Sequence, residues 1–421
     1  MVRLLDSTLR EGEQTPGVYF PPDVKLAIAQ HLDNLGVDLI EAGNPAVDPA
    51  IAAAVTHIAQ AGLKAKIGAH SLCRIDHVQQ ALSCGVDFLG TFFCVSPLRL
   101  ERDYHISLEA AIEKVVTVIT YAKAQRQDIL VRYTPEDTVR SPLENVTAVA
   151  IAAVQAGADI ISIADTTGYA TPFQPHRSIS RYVRALKQAL VERNLSAQIA
   201  VHCHNDRGLA LANALDAYQA GADIIDVSVM GLGERAGIVD LAELLINLLD
   251  VERNYSWNLS VLPALYALVS QQSHIPLSPH HPVVGKNAFT HSAGVHVKAV
   301  AQDETLYQSI NPKLLGKESQ VSLGMQSGCT SVELILSQIG KIDLANDRTF
   351  VTKVLSEVKE MIKSGTPKEI ESELKKIVEL YAQGHYAQAS FKYMAINKNS
   401  GVRPPAGGAP HQSVVYLWLP T

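Results

Sequence analysis

Cysteine is scarce and unpatterned in this chain of 421 residues. Its five cysteines (Cys73, Cys84, Cys94, Cys203, Cys329) are odd in number and include no C-x-x-C pair. That argues against a disulfide frame and suits free thiols in a reducing compartment. Long apolar runs are also missing; none approaches the roughly 18 uncharged residues of a membrane span. The first residues, Met1-Val2-Arg3-Leu4-Leu5-Asp6, enter a strand-like run with no apolar leader, so a cytoplasmic protein without a membrane partner is expected. Basic charge is not in excess, with 36 Lys+Arg against 42 Asp+Glu and a net charge of −6. The electrostatic footprint of a nucleic-acid binder is therefore absent. No glycine-rich dinucleotide fingerprint follows the first strand-like run. What is abundant is apolar surface: 47% of residues are hydrophobic and only 19% charged, enough for a sizeable core and against disorder.

One pattern repeats through the first 251 or so residues: a short apolar run, a helical stretch, another short run. Strands are predicted at residues 3–6, 37–42, 65–69, 86–94, 129–133, 160–164, 197–202 and 224–229. Helical stretches between them include residues 23–35, 48–61, 108–124, 143–156 and 208–220. Gly36, Gly62, Gly85, Gly157 and Gly221 each sit just past a helix, where a left-handed C-cap is needed before the next strand. Eight strand–helix units in roughly 250 residues match a (β/α)8 TIM barrel. A doubly wound open sheet is the alternative.

Beyond residue 250 the rhythm breaks. We expect a catalytic barrel over residues 1–255, a linker and active-site-completing segment over 256–330, a helical subdomain over 331–385, and a short β-like tail over 386–421. In the tail, apolar runs at 391–396 and 413–419 flank a Gly/Pro-rich stretch at 401–410, the pattern of a hairpin with a long loop.

Chemistry gathers at the predicted strand ends. In Val201-His202-Cys203-His204-Asn205-Asp206, two histidines at i and i+2 point to one side of the chain, so both imidazoles can reach one ion. After the first strand comes Asp6-Ser7-Thr8-Leu9-Arg10-Glu11-Gly12-Glu13-Gln14, where Glu11 can add a carboxylate oxygen. A satisfied polar strand terminus is the plain alternative for either stretch alone; their convergence favours a metal site. Such an N/O set accommodates Zn, Mn, Mg or Co. Glu41 and His70 close the second and third strands, Arg132, Thr134 and Glu136 the fifth, and Thr166 the sixth. Two groupings, Arg10 with Thr166 and Arg132 with Thr134 and His70, suggest a substrate with two anionic ends.

The Asp6–Gln14 opening (residues 6–14), the His202-Cys203-His204-Asn205-Asp206 stretch and Gly231-Leu232-Gly233-Glu234-Arg235-Ala236-Gly237 together resemble the acetyl-CoA-dependent 2-oxoacid condensing enzymes, the homocitrate synthase and 2-isopropylmalate synthase family. The similarity runs from residue 3 to about 335. It implies Glu11, His202 and His204 as metal ligands, Arg10 at the 2-oxo group and Thr166 at the adjacent carboxylate. It further implies Gln14 and Glu41 at the substrate, acetyl-CoA as co-substrate, and a homodimer with shared active sites. Residues 287–296 also match, and His296, with Glu136 and Tyr307, falls at positions linked to proton transfer. His70-Ser71-Leu72-Cys73-Arg74 and residues 132–141 look more like lysine-pathway homocitrate synthases, in which counterparts of His70, Arg132 and Thr134 hold the far carboxylate of 2-oxoglutarate. The residue 285–296 segment suits other alkylmalate synthases equally, and Gln326 stands where many relatives have His. The expected function is condensation of acetyl-CoA with 2-oxoglutarate to homocitrate. A 2-isopropylmalate, citramalate or other alkylmalate synthase is the alternative, and a metal-dependent acyl-CoA lyase or a non-catalytic binding barrel stands further off. The tail resembles the start of a leucine-binding regulatory domain but, at about 40 residues, is short for its full fold, so leucine regulation is not expected.

Overall fold

The computed structural model describes residues 2–251, 256–363 and 415–416. Two compact units divide the chain, Met1–Gly285 and Lys286–Thr421.

In the first unit, eight parallel strands close into a barrel in sequence order. They are β1 (Arg3–Asp6), β2 (Leu39–Glu41), β3 (Lys66–Leu72), β4 (Phe88–Cys94), β5 (Leu130–Glu136), β6 (Ile160–Asp165), β7 (Gln198–Cys203) and β8 (Ile224–Val227). β8 pairs back onto β1 through Arg3↔Ile224 to Asp6↔Val227. Helices between the strands start where the sequence supplies caps: Asp48 accepts from the Ala50 amide at 2.7 Å ahead of Pro49–Ala59, and Ser107 accepts from Ala110 ahead of Leu108–Gln125. The five hinge glycines all adopt positive φ, from 70° to 110°, which a residue with a Cβ adopts only at a cost. Inside the barrel, Leu5, Leu39, Phe88, Ile160, Ala200 and Ile224 form a buried layer. Gly68 belongs to that packing, because a Cβ there would lie 2.0 Å from the Phe88 ring.

Strands β3 and β5 run three residues past their predicted ends at 69 and 133, to Leu72 and Glu136. Consequently His70, Thr134 and Glu136 lie in strands rather than after them. The ladder continues through polar residues, with Leu72 opposite Phe92 and Cys94 opposite Glu136, where a hydrophobicity criterion stops. The first unit also extends past the boundary expected at residue 255. Leu262–Ser273 is a helix with Leu262, Leu265, Tyr266 and Val269 buried, and the Asn258 amide donates to Leu35 at 2.8 Å.

At the N-terminal end of the barrel, an aspartate precedes every second strand and clasps the strand before it. Asp38, Asp87, Asp159 and Asp223 accept from the amides of Leu4, Ile67, Val131 and Ile199 at 2.8–2.9 Å. Each aspartate's own amide donates back to the carbonyl of the same residue, at 2.7–3.2 Å. The repeated Gly-x-Asp signature (Gly36-Val37-Asp38, Gly85-Val86-Asp87, Gly157-Ala158-Asp159, Gly221-Ala222-Asp223) therefore encodes both the helix stop and the clasp.

The second unit contains a three-stranded sheet and a helical core. Its strands are β9 (Thr290–His291), β10 (Gln320–Leu323) and β11 (Val415–Tyr416). The middle strand β10 runs parallel to β9 and antiparallel to β11. Helices Cys329–Gln338 and Arg348–Lys363 bury Val332, Ile335, Leu336, Val351, Val354 and Val358 together with Leu323, the i, i+3, i+4 spacing of an apolar face. Of the expected terminal hairpin, β11 falls in the second run. The first run, at 391–396, and the helical residues expected beyond 363 lie outside the described residues.

Candidate metal centre and its surroundings

His202 lies on β7 and His204 follows it, each 7% exposed. Their rings meet edge-on, with centroids 5.0 Å apart. Glu11 faces them from the turn after β1, where the Ser7 carbonyl accepts from the amides of Arg10, Glu11 and Gly12. His202 Nε2 stands 3.9 Å from Glu11 Oε2, and His204 Nε2 stands 4.0 Å from Oε1. Those separations are too long for hydrogen bonds. They fit two donors on one ion, since ligands about 2.0–2.2 Å from a metal are at most about 4.4 Å apart. Taken together, one donor atom from each of the three residues falls within 4.8 Å of the others. Burial, reinforced by the neighbouring His202, holds His204 down at about 4, in the neutral form that ligates. Burial alone would raise the Glu11 carboxyl, but Arg10 and the two histidines outweigh it and hold it at about 2, ionised. Donor set, spacing and protonation all suit a divalent ion.

The surroundings orient these donors. His202 Nδ1 is 2.9 Å from Asp226 Oδ2, the carboxylate–histidine arrangement that fixes a ligating ring. Glu11 Oε1 accepts from the Glu234 amide at 3.0 Å, and Thr15 exchanges two hydrogen bonds with Gly233. Gly233 allows the 231–237 loop to press on Glu11, because a Cβ there would stand 3.1 Å from Glu11 Cγ. With its amide nitrogen turned toward Glu11, Gln14 donates to both carboxylate oxygens at 3.0 Å.

Glu41, at the end of β2 and fully buried, is a second centre. It accepts from Ser7 Oγ at 2.7 Å and Arg10 Nε at 2.6 Å, and its other oxygen is 2.9 Å from His70 Nδ1. Despite burial, Arg10, His70 and Arg132 hold the Glu41 carboxyl well below the usual range. Burial and the Arg10 charge in turn lower His70. Arg10 also pairs with Glu11 through Nη1, so one guanidinium joins the two centres. Arg132 Nη2 donates to Ser162 Oγ at 2.7 Å and pairs with Asp226, while its Nη1 is 3.9 Å from Glu41.

The structure thus gathers Glu11, Gln14, His202 and His204 in one group and Arg10, Glu41, His70 and Arg132 in an adjoining one. Thr166 directly follows β6, its Oγ1 accepting from the Asp137 amide at 2.8 Å. Thr134 lies on β5, opposite Phe92, whose ring stacks on His70. Glu136 is 3.2 Å from Arg99 and keeps one buried oxygen without a partner. His296 and Tyr307 belong to the second unit and stack at 4.1 Å. Asp226, Ser7, Ser162 and Arg99 escape the sequence pattern. For Asp226 a signal exists: it is the one charge inside the apolar run of β8, and a lone buried carboxylate needs a partner.

Residues 1–269 match the HMGL-like family, and residues 283–366 match the homocitrate synthase post-HMGL domain-like family. Homocitrate synthase of Pyrococcus abyssi is 40% identical over 356 residues, covering 85% of this chain and 94% of its own. A probable 2-isopropylmalate synthase of Ignicoccus hospitalis is 37% identical over 381 residues, covering 90% and 92%. Among solved structures, the Bacillus subtilis HMG-CoA lyase superposes with a TM-score of 0.56 at 22% identity, over 66% of this chain and 95% of that one. That likeness speaks to the barrel fold alone. A family match spanning the whole barrel, joined by relatives near 40% identity along most of their own length, makes this chain a member of the HMGL-like family, its barrel followed by a homocitrate synthase post-HMGL domain-like region.

Proposed function

We propose that the chain joins the methyl carbon of acetyl-CoA to the keto carbon of a 2-oxoacid, with 2-oxoglutarate as acceptor and homocitrate and CoA as products. The observation that carries this reading is the pair of adjoining centres at one barrel mouth: an N/O donor set built for a divalent ion, linked by Arg10 to a group bearing Arg132 and His70. Relatives named homocitrate synthase support it. Held by Glu11, His202 and His204, a divalent ion (Zn, Mn, Mg or Co) would supply Lewis-acid polarisation of a carbonyl oxygen.

The chain's own groups do the rest. Arg10, gripped by Glu41 and Glu11, presents a fixed positive fork to the keto oxygen and the neighbouring carboxylate, with Gln14 and Thr166 assisting. Arg132 has its Nη2 occupied, which leaves the Nη1 edge for the far carboxylate; His70 offers Nε2 because Nδ1 is on Glu41, and Thr134 adds a hydroxyl. His296, with Glu136 and Tyr307, takes a proton from the acetyl methyl group. The enolate carbon bonds to the keto carbon, the keto oxygen becomes a hydroxyl by gaining a proton, and water cleaves the thioester to CoA and a carboxylate. The reading includes a homodimer with shared active sites, as the family resemblance of residues 287–296 implies. Five unpaired cysteines suit a cytoplasmic location; among the described residues no helix is long and apolar enough to cross a membrane.

A 2-isopropylmalate, citramalate or other alkylmalate synthase is the second reading, favoured by the Ignicoccus relative. CoA release by metal-loaded protein, measured with 2-oxoglutarate, 2-oxoisovalerate, pyruvate and phenylpyruvate, tests both. The highest kcat/KM is expected with 2-oxoglutarate. A preference for 2-oxoisovalerate or pyruvate would move the assignment to the second reading, and no release with any acceptor would end both.

A further inference from the structure

A second set of metal-binding side chains, separate from Glu11, His202 and His204, gathers where the 231–237 loop leads into the helix Leu241–Leu249. One donor atom each from Asp240, Glu243 and His281 falls within 4.8 Å of the others. Asp240 caps the helix and is only 8% exposed. Its Oδ1 is engaged, accepting from the Glu243 amide at 3.0 Å and from Tyr266 Oη at 2.8 Å. Its Oδ2 is buried and receives no hydrogen bond, although His281 Nε2 stands 3.2 Å away. His281 Nδ1 is 2.9 Å from the Pro282 carbonyl. A carbonyl only accepts, so Nδ1 carries the hydrogen and Nε2 of the neutral ring turns a lone pair toward Asp240. Ligating imidazoles take this form, with one nitrogen donating to a carbonyl or carboxylate and the other on the ion.

Glu243 adds a separate sign. A cap residue with glutamate three positions on ordinarily closes a capping box, in which the glutamate bonds back to the cap's own amide. Among the described residues, the Glu243 carboxylate makes neither that bond nor an ion pair. It stands with Asp240 and His281 instead. Burial first, and the Asp240 charge second, raise the Glu243 carboxyl. Without an ion, a proton on His281 Nε2 fills the gap but balances only one of the two carboxylates; a divalent ion balances both. The spacing agrees. Ligands about 2.0–2.2 Å from an ion, at right or tetrahedral angles to each other, stand about 3.0–3.6 Å apart, and Nε2 and Oδ2 are separated by 3.2 Å. We infer that Asp240, Glu243 and His281 hold a second divalent cation, of the kind that takes nitrogen and carboxylate oxygen together, such as Zn. This ion ties the helix start to the 278–282 segment. It braces the chain leaving the loop, where Asp240 pairs with Ser228 and Ile238 with His204. Glu243 is part-exposed, so water competes for the ion, which is held more loosely than the one at the mouth and is stripped by desalting.

Zinc titration of the full, untagged chain, first stripped with a chelator and then followed by calorimetry, tests the site. Two binding steps of one ion each are expected, the second weaker and lost on desalting. The H202A/H204A variant should keep only the weaker step. E243Q and H281Q should keep the tighter step and weaken the other at least about tenfold, since losing a ligand costs no less than losing the group that orients one. Saturating zinc should raise the melting temperature of H202A/H204A by a few degrees, and that rise should vanish once E243Q is added. A single binding step in the wild type would overturn the inference. So would a second step of unchanged affinity in E243Q and H281Q, both folded by circular dichroism, which would mark adventitious zinc on surface histidines.

Discussion

The two ends of the barrel use the same residue type, the carboxylate, in opposite ways. At the N-terminal end, Asp38, Asp87, Asp159 and Asp223 each close a reciprocal pair of hydrogen bonds with the preceding strand. Every donor they meet there is a backbone amide or a nearby lysine, as at Lys123–Asp159 and Lys187–Asp223. At the C-terminal end, Glu11, Glu41 and Asp226 are buried among Arg10, Arg132, His70, His202 and His204. The first arrangement satisfies the fold locally. The second concentrates charge where burial is expensive and leaves two imidazoles aimed at a carboxylate without hydrogen-bonding to it. A structure that needed only stability would use the first pattern throughout, so the second marks chemistry.

That contrast is open to attack from both ends. The largest effect is expected from His202→Ala: a loss of several kcal/mol of transition-state stabilisation, so roughly 10³-fold in kcat/KM, with bound metal falling well below one per chain by elemental analysis. Full activity in this variant would remove the mouth from the chemistry. Next comes Asp226→Asn, which keeps the shape but weakens the hold on His202 Nδ1. A 10- to 100-fold drop in metal affinity is expected, about what losing such an orienting partner costs; metal-buffered titration reads it.

At the opposite end, Asp87→Ala should cost about 1–2 kcal/mol of stability in chemical denaturation, from leaving the Ile67 amide without its acceptor. Its KM for the oxoacid should stay within about twofold of wild type. A catalytic defect larger than its stability defect would collapse the distinction between the two ends. The smallest effect concerns pH. His281 lies 3.2 Å from Asp240, the residue that caps the helix Leu241–Leu249. Burial alone would lower His281, but Asp240 outweighs it and raises it to about 9 from the ordinary 6.5. The pairing therefore contributes fully below pH 6.5 and is lost as pH climbs through 9. The melting temperature of the wild type should fall by a few degrees across that window, and the fall should flatten in His281→Gln.

Legibility differed by the range of the contacts involved. The strand count, the hinge glycines and the i, i+2 histidine pair were readable because each depends on a few neighbouring residues. Glu11 was readable through its motif, although it faces the histidines across the barrel. The bond that Thr166 accepts from the Asp137 amide was not, because its partner lies on another strand's exit, 29 residues away. The ends of β3 and β5 were missed because polar residues at a barrel mouth still pair in the ladder. The Gly-x-Asp repeat was half seen, its glycine read as a cap and its aspartate passed over, since nothing local says that the next strand over will present an amide.

Local sequence was enough to determine a (β/α)8 barrel and a candidate metal site at its mouth, because alternating periodicities and short motifs act over one turn or one strand. Tertiary structure alone decided that Glu41 would bind Arg10 and His70 at once and that Arg132 would be tied to Asp226. Those meetings follow from closing β8 onto β1 and from the register of the ladder. Residues far apart in sequence become neighbours there, and no local preference records which partner each will find.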